Sequence, residues 1–286
     1  MAINLAEKYS KKIVDKFYVD SVILGKTSKE YDWDGVKSIK VWTITTVDPV
    51  DYLRSQALAS GSRYGSTTEV EDTVQTMQIT QDKAVSLSVD KGNNTQQMLI
   101  KNAGIVMARE LREKFVPMFD KYCLGVWANP ANCGTVTEQG SLTKSNIVEE
   151  IGKHATAIRN AGATLDDAYC FIGETNFAKL LLADEFIKYN NPAFGERNLE
   201  RGVMGKVREI QIVPVPDSYF TDSNVQFLTV KKSCVLAPTQ IKDAKVHQDP
   251  PGLSGALLEV RWLYDAFVLD TKKNGLAVCL ATDASV

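Results

Sequence analysis

The sequence predicts an α+β fold in which one long helix lies on an antiparallel sheet. Three observations carry it. Apolar residues recur at steps of three and four from Asn94 to Asn129. Alternating strands precede that stretch, at 38–48 and 73–90. Short strand signals then crowd the second half, from Ala168 to Leu280.

Residues 3–18 predict an amphipathic helix. Leu5, Tyr9, Ile13 and Phe17 recur every four residues, while Lys8, Lys11, Lys12 and Lys16 take the other faces. Such a helix either docks on its own domain or lies as an arm on a neighbouring subunit, with Tyr9 and Phe17 as contacts. Its basic face also suits an anionic surface, although four lysines on one helix are commonly just a solvated face.

The strands at 38–48 and 73–90 read as one long hairpin. Ile39 and Val41 alternate with lysine before Trp42 and Ile44; Val85, Leu87 and Val89 alternate with Ala84, Ser86 and Ser88. Between them, Pro49, Gly61, Gly65 and several serines mark a turn-rich tip. A two-stranded hairpin is marginal in water by itself. A connection of roughly 25 residues without its own core is functional or disordered. The hairpin is therefore expected to lie against another copy of the chain. Tyr52, Arg54, Arg63 and Tyr64 are the candidate anchors, because Tyr and Arg dominate interface energetics; the plainer alternative is exposed loop residues.

The helix from Asn94 to Asn129 carries Leu99, Ala103, Val106, Met107, Leu111, Phe115, Met118, Phe119, Tyr122 and Val126 on one stripe. Asn94 is its expected cap, with Gln97 in the capping-box position. At about 1.5 Å per residue it spans on the order of 45–50 Å. Pro117 removes a backbone donor, so a bend is expected there. The stripe should face Glu209–Val215 and the strands around Val260–Leu269.

A polar loop follows from Asn129 to Ser145. Asn146–Asn160 predicts a helix with Ile147, Ile151, Ala155 and Ile158 on one face and Gly162 just past its end. Ala168–Gly173 reads as a buried strand, and Thr175 as the cap of a helix from Asn176 to about Ala183. Tyr189–Gly205 is a loop rich in Asn, Gly, Arg and Glu, whose Arg197 and Arg201 are further candidate subunit contacts. Glu209–Val215 is a strand, with Pro214 and Pro216 placing it at an edge or an end. Val225–Val230 and Cys234–Ala237 are strands. Leu257–Leu269 and Gly275–Leu280 suggest a closing hairpin turned at Lys272–Gly275.

Composition excludes several function classes. A net charge of −2 and a pI near 5.8 leave no footprint for tight nucleic-acid binding. No apolar run reaches the roughly 18 residues of a membrane span, and the N-terminus lacks a signal-peptide layout. Cytoplasmic synthesis is the default expectation. The five cysteines are widely spaced and give neither a disulfide framework nor a metal pair. His154, between Lys153 and Ala155, is expected on a helix surface. Gly61–Thr67 lacks the lysine of a phosphate loop. Gly202-Val-Met-Gly205 is too short to signify, and Asp166-Asp167 reads as a turn. Neither histidine has the context of a catalytic base. The sequence assigns no catalytic, cofactor-binding or metal-binding residue.

The order of these elements resembles the major capsid protein of tailed double-stranded-DNA bacteriophages. The specific stretches are Glu259-Val-Arg-Trp-Leu-Tyr-Asp265-Ala-Phe-Val-Leu269 with Lys272-Lys-Asn-Gly275, Gly202–Val207 leading into Ile210–Pro216, and Val89-Asp90 before the long helix. The resemblance implies an N-terminal arm at 1–35, an extended E-loop hairpin at 36–92 and a P-domain spine helix at 93–135. A mixed A-domain at 136–238 and P-domain closing strands at 239–286 complete it, so the long helix becomes a spine on an antiparallel P-domain sheet. It implies a non-enzymatic, cofactor-free homo-oligomer of hexameric and pentameric capsomers. These would build an icosahedral head assembled in the host cytoplasm around DNA held without sequence recognition, with no membrane. Some relatives carry a long N-terminal scaffolding segment; an arm of this length implies a separate scaffolding protein instead, or none, besides a portal. Some relatives crosslink through an E-loop lysine, and no lysine lies between Asp48 and Asp82. The alternatives are an encapsulin-type compartment, which shares the fold, and a monomeric α+β binding module.

Overall fold

A computed structural model describes residues 21–31, 33, 37–55, 61–96, 102–184, 186 and 205–282. The chain forms two units, Val36–Gln78 and a body of Met1–Gly35 with Ile79–Val286.

The first unit is a two-stranded antiparallel ribbon of β1 (Ser38–Ile44) and β2 (Asp72–Gln78), with Ser38 opposite Gln78 and Ile44 opposite Asp72. Thr45 N–H continues the pairing to the Glu71 carbonyl at 2.9 Å.

In the body, β3 (Gln81–Asp90) runs into α1 (Lys91–Gln96), α2 (Ala103–Glu110), a π-helical turn (Leu111–Phe115) and α3 (Val116–Trp127). β4 (Thr135–Gln139), α4 (Ile147–Asn160), β5 (Ala168–Gly173) and α5 (Glu174–Leu181) follow. Then come β6 (Gly205–Val207), β7 (Ile210–Val215), β8 (Val225–Lys231) and β9 (Val235–Leu236). β10 (Thr239–Gln248), β11 (Gly255–Tyr264), β12 (Phe267–Val268) and β13 (Leu276–Ala281) complete the order. One antiparallel sheet is ordered β10-β11-β3, one mixed sheet β4-β13-β8-β5-β7-β6, and β9 pairs with β12.

The mixed sheet has a helix layer on each face. On one side the Ile147, Ile151, Ala155 and Ile158 stripe of α4 packs with Phe177 and Leu180 of α5 against Cys170, Ile172, Ile210, Ile212 and Phe227. On the other, Cys123, Leu124 and Trp127 of α3 meet Val213, Val215, Leu228, Val230 and Val278. The same helical run covers the three-stranded sheet, where Phe115 packs on Val260, Trp262 and Tyr264 with Met107, Leu111, Met118, Phe119 and Tyr122 around it. The long stripe therefore faces both the β7 strand and the Val260 region. Fully burying one such large apolar side chain is worth about 1.5–3 kcal/mol, so these layers fix α3 between two sheets.

The α+β class and the helix–sheet layering agree with expectation; several element boundaries do not. The long hairpin breaks at Ile79-Thr80. β3 leaves the ribbon strand and pairs over ten residues with β11, from Gly255 opposite Asp90 to Tyr264 opposite Gln81. Its alternating Val85, Leu87 and Val89 have a helix to pack on, which a free hairpin cannot give them. The long helix is segmented. Asn94 lies inside α1; the capping side chain is Asn102, whose Oδ1 accepts from Gly104 N–H at 3.0 Å and Ile105 N–H at 3.3 Å. Just before Pro117 the helix widens into the π-helical turn, where Val116 N–H donates five residues back to Leu111. Widening the turn eases the clash between a proline ring and the carbonyl four residues earlier.

The loop expected over 129–145 contains β4, parallel to β13. The expected closing hairpin is absent: β11 and β13 belong to different sheets, joined through β12 and a 3₁₀ turn at Asp270–Gly275. β10 had no sequence signal, because as the sheet's outer strand it exposes most of its side chains. Thr175 sits within α5 rather than capping it; its amide donates to Asp217 at 3.2 Å. Pro214 lies in β7 beyond Ile212, where β6 has ended at Gly205, so the strand is locally an edge. Gly162 takes φ +80° past α4, donating to the Arg159 carbonyl at 2.9 Å.

Candidate assembly surface

The ribbon's two faces differ. Ile39, Val41 and Thr43 share one with Thr73, Gln75 and Met77. Lys40, Trp42 and Ile44 share the other with Asp72, Val74 and Thr76. On that second face Trp42 is 64% exposed, Ile44 67% and the directly opposed Val74 42%. Beyond the strands Val47, Val50 and Val70 are exposed as well. Contiguous exposed apolar side chains mark an interaction site. Two strands also present two edges of unpaired backbone groups.

The structure brings two of the sequence-chosen anchors into contact. The Tyr52 and Tyr64 rings meet edge-to-face at 5.0 Å, and Leu53 N–H donates to the Arg63 carbonyl at 3.0 Å. Tyr64 remains 77% exposed. Arg54 follows directly in this loop and is exposed. The described flanks of the tip, 51–55 and 61–65, thus lie together, with Tyr52, Arg54 and Tyr64 at the surface. Tyr9, Phe17, Arg197 and Arg201 lie outside the described residues. Sequence reasoning passed over Trp42, Ile44 and Val74 as contacts; apolar residues on both faces of β1 were the available signal.

The body buries several ionisable groups. Burial pushes the Asp120 carboxyl up to about 6, against the pull of hydrogen bonds from Ser21 Oγ and Val22 N–H, both at 2.8 Å, and of the Lys26 ammonium. Lys26 itself is lowered by burial and donates to the Val22 carbonyl at 2.7 Å. His154 is fully buried, contrary to the surface expectation. Its Nε2 meets Thr137 Oγ1 and its Nδ1 meets Thr229 Oγ1, each at 2.9 Å, and burial lowers it to about 3. It is a neutral core residue tying β4, α4 and β8. Burial raises the Cys123, Cys133, Cys170, Cys234 and Cys279 thiols, which keeps them protonated and inert. Among the described residues, no group of His, Cys, Asp and Glu is arranged to hold a metal ion. On the solvent face of the three-stranded sheet, Arg261 forks onto Asp82 at 2.6 and 3.0 Å and His247 meets Glu259 at 3.2 Å. Such exposed pairs contribute little to stability.

A mixed sheet between helix layers, a segmented helix crossing onto an antiparallel sheet, and a separate two-stranded ribbon together make the bacteriophage capsid fold. Solved structures share it nearly end to end. One from Mycobacterium phage Che8 is 16% identical, with a TM-score of 0.74 and 96% of each chain covered. The capsid of the cyanophage P-SCSP1u is 14% identical at TM-score 0.71, covering 98% of this chain and 93% of that one. The mature capsid of bacteriophage PhiM1 is 15% identical at 0.70, again with 98% and 93% covered. No protein-family model and no curated protein matches the sequence.

Proposed function

We propose that the chain is the major capsid subunit of a tailed double-stranded-DNA bacteriophage. It is a structural, non-enzymatic protein that self-assembles into hexamers and pentamers of an icosahedral head. The observation that carries this reading is the two-sided coverage: at least 96% of this chain and 93% of each of these three chains superpose, two of them named as capsids. The ribbon supports it independently, because its exposed Trp42–Val74 face needs a partner. In this reading residues 1–35 are the arm and the ribbon is the E-loop, ending at Gln78 rather than at 92. The run α1–α3 is the spine, the mixed sheet centres the A-domain, and β3 joins β10 and β11 in the P-domain sheet. Tyr9, Phe17, Tyr52, Arg54, Arg63, Tyr64, Arg197 and Arg201 are the proposed subunit contacts. DNA is cargo, held without sequence recognition. Assembly takes place in the host cytoplasm with a portal and a separate scaffolding protein.

Electron microscopy and light scattering of the purified protein test this. Closed shells are expected; a species of 31.6 kDa that never assembles would refute it. Shells filled with a protein cargo in place of nucleic acid would favour a compartment. Deleting Val50–Glu69 should leave a folded subunit that makes no shells, since among the described residues no core residue of the body lies in that segment. Normal assembly of the deletion would remove the ribbon from the contact surface.

A further inference from the structure

Asp265 is buried at 4% exposure, where β11 ends. A chain reversal alone needs no buried carboxylate, and an unpaired one would be costly. Here four donors converge on its two oxygens. Oδ2 accepts from Thr80 N–H at 2.8 Å and Thr80 Oγ1 at 2.9 Å. Oδ1 accepts from Tyr122 Oη at 2.7 Å and from Ala266 N–H at 2.8 Å. Burial, then the Asp265 carboxylate, push the Tyr122 phenol up, which keeps it a donor.

Thr80 lies two residues past the end of β2, at the chain's return from the ribbon into the body. The outgoing root is held by the same short segment. Trp33, 7% exposed, stacks on Phe267 with ring centroids 5.2 Å apart and planes within 5°, and its carbonyl accepts from Gln240 Nε2 at 2.9 Å. The residues that grip the two roots, Asp265 and Phe267, are two positions apart in sequence.

We propose that Asp265, with Phe267 beside it, is the positioning residue of assembly: one three-residue segment clamps both roots of the 36–78 ribbon and links the returning root to α3 through Tyr122. This rests on the reading that the ribbon engages a neighbouring copy. The clamp requires an acceptor-only group. In an asparagine one oxygen becomes an NH₂, which faces either the Thr80 or the Ala266 backbone N–H, and neither of those donors can invert. An isosteric, uncharged replacement therefore opens one side of the clamp.

The test uses the full chain with Asp265→Asn, Thr80→Val and Tyr122→Phe, reading amide hydrogen exchange at residues 80 and 266 in free subunits, the thermal melt and shell yield. In Asp265→Asn, exchange should rise about tenfold to a hundredfold at whichever of the Thr80 and Ala266 amides faces the new NH₂, the equivalent of losing a hydrogen bond to a charged group. Thr80→Val removes one of the two bonds from that residue and should raise it less, with an unchanged melt and a lowered shell yield. Tyr122→Phe removes the helix-side donor and its hydrogen bond with the Thr80 hydroxyl but leaves the Thr80 N–H on Asp265 Oδ2, so exchange at Thr80 should rise less than in a variant that removes that acceptor. Unchanged exchange in both Asp265→Asn and Thr80→Val overturns the clamp. Should Asp265→Asn fail to fold, Thr80→Val alone decides. Faster exchange with wild-type shell yield overturns the positioning role. Normal assembly of the Val50–Glu69 deletion would instead overturn the ribbon reading itself, whatever the exchange shows.

Discussion

Asp120 on α3 and Asp265 facing it are both buried carboxylates, yet asparagine should suit only one of them. Asp120 receives a backbone amide on one oxygen and the Ser21 hydroxyl on the other. A hydroxyl can turn and accept, so Asp120→Asn can keep both bonds. Its folded value of about 6 against an ordinary 3.8 means that the folded state holds the proton more tightly. That contribution is present at low pH and lost as pH rises through about 6. His154 acts oppositely. Lowered to about 3 from 6.5, it stays neutral while the unfolded chain takes up a proton, so its stabilisation is lost as pH falls below 6.5. At pH 5 that loss is about 2 kcal/mol by linkage. Thermal melts from pH 7.5 to 5 should show the two offsetting each other. In Asp120→Asn the drop on acidification should steepen, and in His154→Gln it should flatten; parallel curves for all three would contradict both assignments. The burial of His154 is legible in the residue spacing: counted from Ile147 it falls seven residues on, on the apolar stripe of α4. Its charged neighbour Lys153 masks that phase.

Elements whose partners lie nearby in sequence, or whose period is strong, are legible from residue order alone. α4, β5, β7 and β8 fall within a residue or two of expectation because each buries a continuous or strictly periodic face. The misplaced elements are those defined by distant partners. β3 cannot be separated from the ribbon strand without knowing that β11, more than 160 residues away, takes its edge. The closing strands look like a hairpin because sequence neighbours are the default pairing, whereas β13 inserts between β4 and β8. The segmented helix hides its start because several asparagines precede it, and Asn102 is the one that caps α2. Asn102→Ala should therefore cost about 1 kcal/mol, seen as a lower denaturation midpoint with unchanged slope. The exposure of Tyr52, Arg54 and Tyr64 is legible from their turn-rich context, and that of Trp42, Ile44 and Val74 from alternation. The clamp is not, because it joins Trp33, Thr80, Tyr122 and Asp265 from four separate stretches.

For the whole molecule, identities of 14–16% with the full-length neighbours show how little of the fold depends on particular residues. The backbone path is kept at TM-scores of 0.70–0.74 while most side chains differ. A shell of such subunits must hold through surface area or through covalent links, and this chain has no lysine between Asp48 and Asp82 to make one at the ribbon tip. Shells dissolved in denaturant should accordingly give a single band near 31.6 kDa. A ladder of higher species would show that crosslinking uses another lysine.

The clamp also sets a clock. Thr80 leaves the ribosome 185 residues ahead of Asp265, the partner that secures it. At about 5–20 residues per second, that interval is roughly 10–40 s of synthesis. Throughout it the ribbon exists as sequence but has no fixed root, and β3 has no β11 to pair with. In the proposed shell subunit, contacts made through the ribbon would therefore wait until Asp265 has been synthesised.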